Sequence, residues 1–362
     1  MKRKTPTLAL LGSYPPPYGG VTIHTRRLCR LFEGKGVDYI VYNAASETED
    51  RTRVFSVYRK RHVWMIWYAI FGREPVVYIM SPRLMSWMLG AFMTRVRGRK
   101  VILRIQNSRL IDWCAKSSPR RFLAAFSLRR ITQIISVNRE IYNQLIELGV
   151  EPERAHVFPG FLPPVPNDLG SHAVAPEIMQ FAANHAPLIA ANGKISFYQG
   201  EDLYGLDLLI ELAIQLKPDY PNLGIVFFFS DFSGDNQAYL DKLLAKAENS
   251  GVKKNFFFNT AGGPFLPVIK EADLFVRPTN TDGDANSIRE ALYLGVPVVA
   301  SDAVERPEKV ILFKSRNIDH FVKQTRLALA EKSKKEFPEE VIDSETNSLI
   351  ENYLEVLLAP NR

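Results

Sequence analysis

The pattern that most limits how this chain can fold is a strand-then-helix alternation that runs twice, once on each side of a proline-rich break. In the first half, TLALLGS (7–13) is the continuous apolar run of a buried strand. GVTIHTRRLCRLFEGKG (20–36) follows, with Ile23, Leu28, Leu31 and Phe32 at helical spacing and Gly34 and Gly36 as stop signals. VDYIVYNA and residues 76–80, 101–105, 133–137 and 155–160 are further strand candidates. The second half repeats the pattern. Strands are expected at 187–192, 223–230, 255–259, 273–278 and 296–301, and helices at 206–216, 235–249 and 286–294. Alternation of this kind requires parallel strands joined by crossover helices, an α/β architecture. The break, FPGFLPPVPNDLGSHAVAPE at 158–177, has the composition of a linker. A chain of 362 residues exceeds what one core usually spans. The expected organisation is therefore a domain at 1–165, a linker at 166–186, a domain at 187–340 and a C-terminal helical segment at 341–362.

The charge is divided between the halves. Residues 1–160 hold 27 Lys+Arg and 11 Asp+Glu, a net of +16, while the remainder carries −9, which together give the formal +7. A basic front half calls for an anionic partner: a membrane surface, a phosphorylated acceptor or a nucleic acid, or else it is a solvated face. Two segments sharpen the choice. RLMSWMLGAFMTRVRGRK (83–100) places Leu84, Trp87, Met88, Ala91 and Phe92 on one helical face and ends in Arg95, Arg97, Arg99 and Lys100. SSPRRFLAAFSLRR (117–130) repeats the design with Arg120, Arg121, Arg129 and Arg130. Apolar residues flanked by arginine suit an anionic membrane interface and disfavour nucleic acid. The alternative is that the apolar faces pack on the sheet. The longest apolar run, ten residues at 63–72, is short of the roughly 20 needed to span a bilayer. Cys29 and Cys114 are the only cysteines, which fits a reducing, cytoplasmic setting, with peripheral attachment to the inner membrane face as the variant that the basic half invites.

The densest chemistry lies in TDGDANSIREALYLGVPVVASD (281–302). An acidic loop leads into a short helix that stops at Gly295 and re-enters a strand. The amides at the start of a helix attract anions, so residues Asp284, Ala285, Asn286 and Ser287 frame a place for a diphosphate. Glu290, one turn inside, can accept hydrogen bonds from paired sugar hydroxyls, and Asp282 can do so for a second sugar. The plainer reading is an ordinary loop whose Asp and Asn cap the helix. Near the N-terminus, Gly19-Gly20 lets the backbone approach a ligand at the first strand-helix junction, and His24 follows. Arg277 ends the strand before the acidic loop. Its guanidinium suits a phosphate, or a salt bridge to Asp282 or Asp284.

The window 281–302 resembles the signature of retaining glycosyltransferases of the GT-B fold, Glu-x7-Glu followed by Gly-x-Pro-Val-Val-Ala-Ser/Thr-Asp. Here it reads Asp282-x7-Glu290, then Gly295, Pro297, Val298, Val299, Ala300, Ser301 and Asp302, so the first acid is one methylene short. The resemblance implies two Rossmann-like doubly wound domains facing across a cleft, with a C-terminal helix crossing back to the first. It implies a nucleotide-sugar donor and a saccharide acceptor, polyprenyl-diphosphate-linked in many relatives, with neither a metal nor another cofactor. Glu290 would hold the donor ribose, Asp282 the transferred sugar, and Arg277 and Lys194 the leaving diphosphate. Lys194 stands where relatives carry Arg. Their usual Lys is replaced by Tyr204 before Gly205, a donor without charge. The resemblance puts the Gly19-Gly20 loop near the donor phosphate and the acceptor. His24, Arg104 and Asn107 are the acceptor-side candidates, and Asn107 cannot act as a base where many relatives carry His. Three other functions fit the same residues: a sugar-nucleotide epimerase, a nucleic-acid glucosyltransferase and a non-catalytic partner subunit of the same fold.

Overall fold

The computed structural model describes residues 7–16, 20–47, 50, 52–81, 83–164, 174–282, 285–331 and 344–359. The chain forms two compact units, Met1–Leu162 with Ile342–Arg362, and Pro163–Val341.

In the first unit the order is β1 (Leu8–Gly12), α1 (Gly20–Gly34), β2 (Tyr39–Asn43), β3 (Val54–Ser56), α2 (Arg61–Phe71), β4 (Val76–Ile79), α3 (Leu84–Arg95), β5 (Lys100–Ile105), α4 (Arg109–Ala115), α5 (Ser118–Leu128), β6 (Gln133–Ser136), α6 (Arg139–Glu147) and β7 (Ala155–Val157). The seven strands are all parallel and lie in the order β3-β2-β1-β4-β5-β6-β7. Helices cover both faces, which is why β1 and β5 are buried along their whole length and read as unbroken apolar runs. Helices α2 to α6 pack on one face. α1 and the last helix of the chain, whose Ile350, Tyr353, Leu354 and Leu357 join Leu28 and Phe32, pack on the other. Lys100 Nζ donates to the carbonyls of Val356 (2.6 Å) and Ala359 (2.7 Å), a cation satisfying the C-terminal end of that helix.

The second unit runs α7 (Pro176–Asn184), β8 (Leu188–Lys194), β9 (Phe197–Tyr198), β10 (Glu201–Asp202), α8 (Leu206–Leu216), β11 (Gly224–Asp231), α9 (Gln237–Asn249), β12 (Phe256–Asn259), α10 (Leu266–Glu271), β13 (Leu274–Arg277), α11 (Asn286–Tyr293), β14 (Val298–Ser301), β15 (Ile311–Phe313) and α12 (Ile318–Ala330). α13 (Ser344–Leu358) is the last helix, which belongs to the first unit. Six parallel strands form the order β12-β11-β8-β13-β14-β15, and β9 and β10 make a small antiparallel hairpin. α8, α9 and α12 cover one face, α7, α10 and α11 the other. Each unit is thus a Rossmann-like, doubly wound parallel sheet. The strand order reverses between β1 and β4 in the first and between β8 and β13 in the second. Ligands of such sheets bind beyond the carboxyl ends of the strands that flank the reversal.

Part of the stretch expected as linker is a helix. α7 begins on Pro176, whose fixed φ suits the first helical position, and it lays Ile178, Met179, Phe181 and Ala182 on the second sheet. A nine-residue helix behind a run of prolines gives too short a periodic signal to stand out.

Candidate functional site

At the reversal in the second sheet, β8 ends on Asn192-Gly193-Lys194 and β13 ends on Arg277. Arg277 spans the two strands. Its Nη1 donates to Asn192 O (2.8 Å) and Oδ1 (3.1 Å), while Nε and Nη2 donate to Asp282 Oδ2 (2.9 Å) and Oδ1 (3.1 Å). This is the bidentate geometry that a guanidinium forms with a carboxylate. A second arginine completes the cluster. Arg306 Nη1 donates to Asp282 Oδ2 (3.1 Å) and its Nη2 to Thr279 Oγ1 (2.9 Å). The Arg306 side chain is 2% exposed and that of Asp282 10%. Burial alone would raise the Asp282 pKa, but the Arg277 and Arg306 guanidiniums hold it below its usual value. Asp282 in turn raises the pKa of Arg277 against its own burial. The three side chains carry a charge of +1 between them. Arg277 thus makes the salt bridge to Asp282 that was one of its two expected roles.

Tyr204 lies against this cluster, its ring 5.0 Å from the Arg277 guanidinium carbon. Tyr204 also packs on Gly193. A Cβ there would sit 2.4 Å from the tyrosine ring, so residue 193 must be glycine for Tyr204 to occupy the place it has. Gly205 is equally constrained, with φ +69° and Pro278 O 2.4 Å from an added Cβ. Asp202, three residues earlier, closes the N-terminus of α8: its carboxylate accepts from the amides of Tyr204 (3.0 Å), Gly205 (3.1 Å) and Leu206 (3.0 Å) and from the Tyr239 hydroxyl (3.0 Å). Burial and the nearby Asp207 charge raise its pKa. Lys194 is exposed at the end of β8. α11 carries Ser287 and Glu290, both buried on the helix that follows the acidic loop, with Ala285 at its N-cap and Asn286 as its first residue. Asp284 and Gly283 lie outside the described residues.

The acceptor-side candidates fall in the first unit. His24, one turn into α1, is buried. Its Nδ1 bonds Gly160 O (2.9 Å) and its Nε2 the Tyr353 hydroxyl (3.2 Å) on α13. Arg104 Nη1 donates to the same hydroxyl (3.3 Å) and its Nη2 to Pro159 O (3.0 Å), and Tyr78 OH meets Tyr353 OH at 2.5 Å. Burial, then the Arg104 charge, lowers the His24 pKa well below the histidine value. His24 and Arg104 are therefore brought together, inside a network that fastens α13 to β4, β5 and the loop after β7. Asn107 is apart from them. It is exposed, and its Oδ1 accepts from Arg109 N (3.2 Å) in a local turn. Gly20 opens α1, and Gly19 lies outside the described residues.

Arg306 is the second-unit residue that sequence reasoning missed. It sits 24 positions from the acid it binds, in a loop without periodicity, and only its place shortly after the Val298–Ser301 strand could have drawn attention to it.

Residues 186–347 match the family model described as glycosyl transferases group 1. The matched stretch contains Asn192, Lys194, Tyr204, Arg277, Asp282, Glu290 and Arg306. Solved structures similar in fold include HepE from Anabaena in complex with UDP and glucose, at 14% identity and TM-score 0.63, covering 97% of this chain and 99% of that one. A glycosyltransferase from Rickettsia africae aligns at 10% identity and TM-score 0.62, covering 90% and 89%. Sucrose-phosphate synthase from Thermosynechococcus elongatus aligns at 15% identity and TM-score 0.59, covering 90% of both. The likeness is one of fold, and the fold is GT-B. Among curated proteins none matches the chain by sequence.

Proposed function

We propose that this protein is a retaining glycosyltransferase that moves a sugar from a nucleotide-sugar donor to a saccharide acceptor, without a metal. The observation that carries the reading is the Arg277–Asp282–Arg306 cluster at the strand reversal of the second sheet, with Lys194 at the end of the neighbouring strand and α11 following. Guanidiniums fixed there by hydrogen bonds, ahead of a helix N-terminus, are suited to the charge that grows on a leaving diphosphate. In this reading Lys194, Arg277 and the amides at 284–287 stabilise that diphosphate, and Glu290 holds the ribose hydroxyls. Asp282 orients the two guanidiniums and contacts the transferred sugar. The bond from the anomeric carbon to the diphosphate oxygen breaks, and the acceptor oxygen bonds to the same face of that carbon. The acceptor proton passes to the departing diphosphate. A polyprenyl-diphosphate-linked saccharide is the proposed acceptor class, taken by the first unit.

UDP-glucose is the first donor to test, and UDP the first product-like ligand, since solved neighbours from Anabaena hold them. A panel of nucleotide sugars read by melting shift should reveal one stabilising donor. With a saccharide acceptor it should give a product of retained anomeric configuration, unaffected by EDTA. Glu290→Gln should keep the fold and weaken donor binding by about 1–3 kcal/mol, the scale of a charged hydrogen bond. Inverted product overturns the retaining assignment, and inversion of a sugar centre without acceptor identifies an epimerase. No donor binding at all leaves a non-catalytic partner subunit.

A further inference from the structure

Helices α2, α3, α5 and α4 lie side by side on one face of the first sheet, and their outward surface is not that of a solvated layer. α2 turns Met65, Tyr68 and Ala69 inward. Its other face shows Val63, Ile66, Trp67, Ile70 and Phe71, at the spacing of two helical turns, with Val63 73%, Trp67 54% and Phe71 58% exposed. The neighbouring helices continue the patch through Met88, Phe122 and Phe126, the last two in contact with one another. Large apolar side chains left exposed on neighbouring helices in this number mark a place where something docks.

The charge around it selects the occupant. Residues 59–130 contain sixteen Lys+Arg, of which Arg99, Lys100 and Arg104 are buried, and two Asp+Glu. Both acids are engaged. Glu74 is buried and accepts from the Tyr68 (2.8 Å) and Tyr42 (3.2 Å) hydroxyls, and Asp112 accepts from the Gln144 amide (3.2 Å). Arg95, Arg97, Arg120 and Arg121 are exposed beside the patch. Arg120 stacks on Trp113 at 4.0 Å from the ring centroid, so part of the cationic fringe is tied to an aromatic that is itself exposed. A second copy of this chain would bring two basic surfaces together in a two-fold contact. A nucleic acid would use the arginines and aromatics but leave the aliphatic Val63, Ile66 and Ile70 without a role. An anionic bilayer uses both, the headgroups meeting the arginines and the interfacial acyl region taking the helix stripe.

We propose that this face docks on an anionic lipid surface, with α2 lying in the interface as the inserted element. The expectation from sequence was a membrane-facing surface over 83–130 with Trp87 among its aromatics. Trp87 is in fact 1% exposed, and Trp67 and Phe71 on α2 supply the exposed aromatics instead. Arg99 is also internal: it packs 5.0 Å from the Tyr68 ring centroid and is no part of the fringe. The docking deepens the lipid-linked acceptor in the function proposed above, and it stands on the surface itself rather than on the donor site.

The test is co-sedimentation of the full chain with vesicles of phosphatidylglycerol and phosphatidylcholine in equal parts, against phosphatidylcholine alone. The wild type should bind only the mixed vesicles. Trp67→Ala with Phe71→Ala should weaken that binding about tenfold or more. Arg120→Gln with Arg121→Gln should weaken it by a similar factor, most at low salt. All four positions are exposed, so the variants should melt as the wild type does. The nucleoside-diphosphate melting shift is read on the same samples. Lost vesicle binding with an intact donor shift supports the docking face. Absence of wild-type vesicle binding, or binding that the α2 variant leaves unchanged, overturns it, and the donor shift then reports separately on the transferase reading. Tighter binding to RNA or DNA than to mixed vesicles, or a dimer that the α2 variant makes monomeric, overturns it in favour of those occupants.

Discussion

In the second unit Arg277 and Arg306 are buried and share the carboxylate of Asp282, whereas in the first unit Arg95, Arg97, Arg120 and Arg121 stand exposed in a stretch that holds only two acids. The same side chain serves two physical purposes. A buried guanidinium held by a bidentate partner points in a fixed direction, and salt screens it little, so it can serve one anion in one place. An exposed guanidinium without a carboxylate partner is not aimed at one anion in one place. Its effect is a field that reaches about a Debye length and sums over neighbours. The pairing therefore marks a built site in one unit, and its scarcity marks a surface in the other.

The sharpest way to break this contrast is to remove the acid. Asp282→Ala takes away the carboxylate that joins two buried guanidiniums and should cost about 3–5 kcal/mol in urea unfolding, the scale for breaking a buried pair. A loss no greater than an exposed ion pair gives, under about 1 kcal/mol, would show that the cluster relaxes into solvent. The pH profile carries signs that can be worked out. Because its folded pKa is depressed, Asp282 contributes stability above its unfolded value of about 3.9 that is lost as pH falls through the folded value. The depressed His24 acts in the same sense at higher pH. Its contribution is complete above the unfolded value of about 6.5 and declines below it, where the unfolded chain takes up the proton that the buried ring beside Arg104 refuses. Asp202 has the opposite slope, its raised pKa making the fold gain stability as pH falls through that value. His24→Gln should remove the slope below neutrality, and an unchanged slope would show that another group sets it.

A middle-sized effect tests the packing under Arg277. Gly193→Ala forces a methyl into the Tyr204 ring and should cost about 1–3 kcal/mol, the range for overpacking. It should also weaken donor binding, because Tyr204 backs the guanidinium. Donor affinity unchanged in a destabilised variant would separate the tyrosine from the site.

How much of this was legible in the sequence depended on whether the information was local. β1, β5, β8 and β13 were readable because strands covered on both faces are continuous apolar runs. The α11 window was readable because loop, helix and strand are contiguous. α2 was not, since VWMIWYAIF is apolar all round and only packing shows that Met65, Tyr68 and Ala69 face the sheet. α3 has apolar residues on both sides, so spacing alone could not tell Trp87, which is inside, from Met88, which is out. His24 and Arg104 meet through Tyr353, whose hydroxyl is 329 positions from His24, and no local pattern encodes such a contact.

The smallest expected effect sits at the exposed end of the contrast. Arg95→Gln with Arg97→Gln should change unfolding stability by no more than about 0.5 kcal/mol, since neither is buried. A larger loss would mean that these arginines are built into the fold as Arg277 is.

Whether the second unit holds a diphosphate through its paired arginine is open to one titration. The nucleoside diphosphate that binds best in a panel is titrated calorimetrically against its own monophosphate, into wild type and into Arg277→Ala, with folding checked by circular dichroism. Wild type should prefer the diphosphate by about tenfold or more, the scale of one charge-assisted hydrogen bond, and Arg277→Ala should erase most of that preference while the monophosphate binds nearly as before. A folded Arg277→Ala protein that keeps the full preference, or a wild type with none, would contradict a diphosphate held by Arg277.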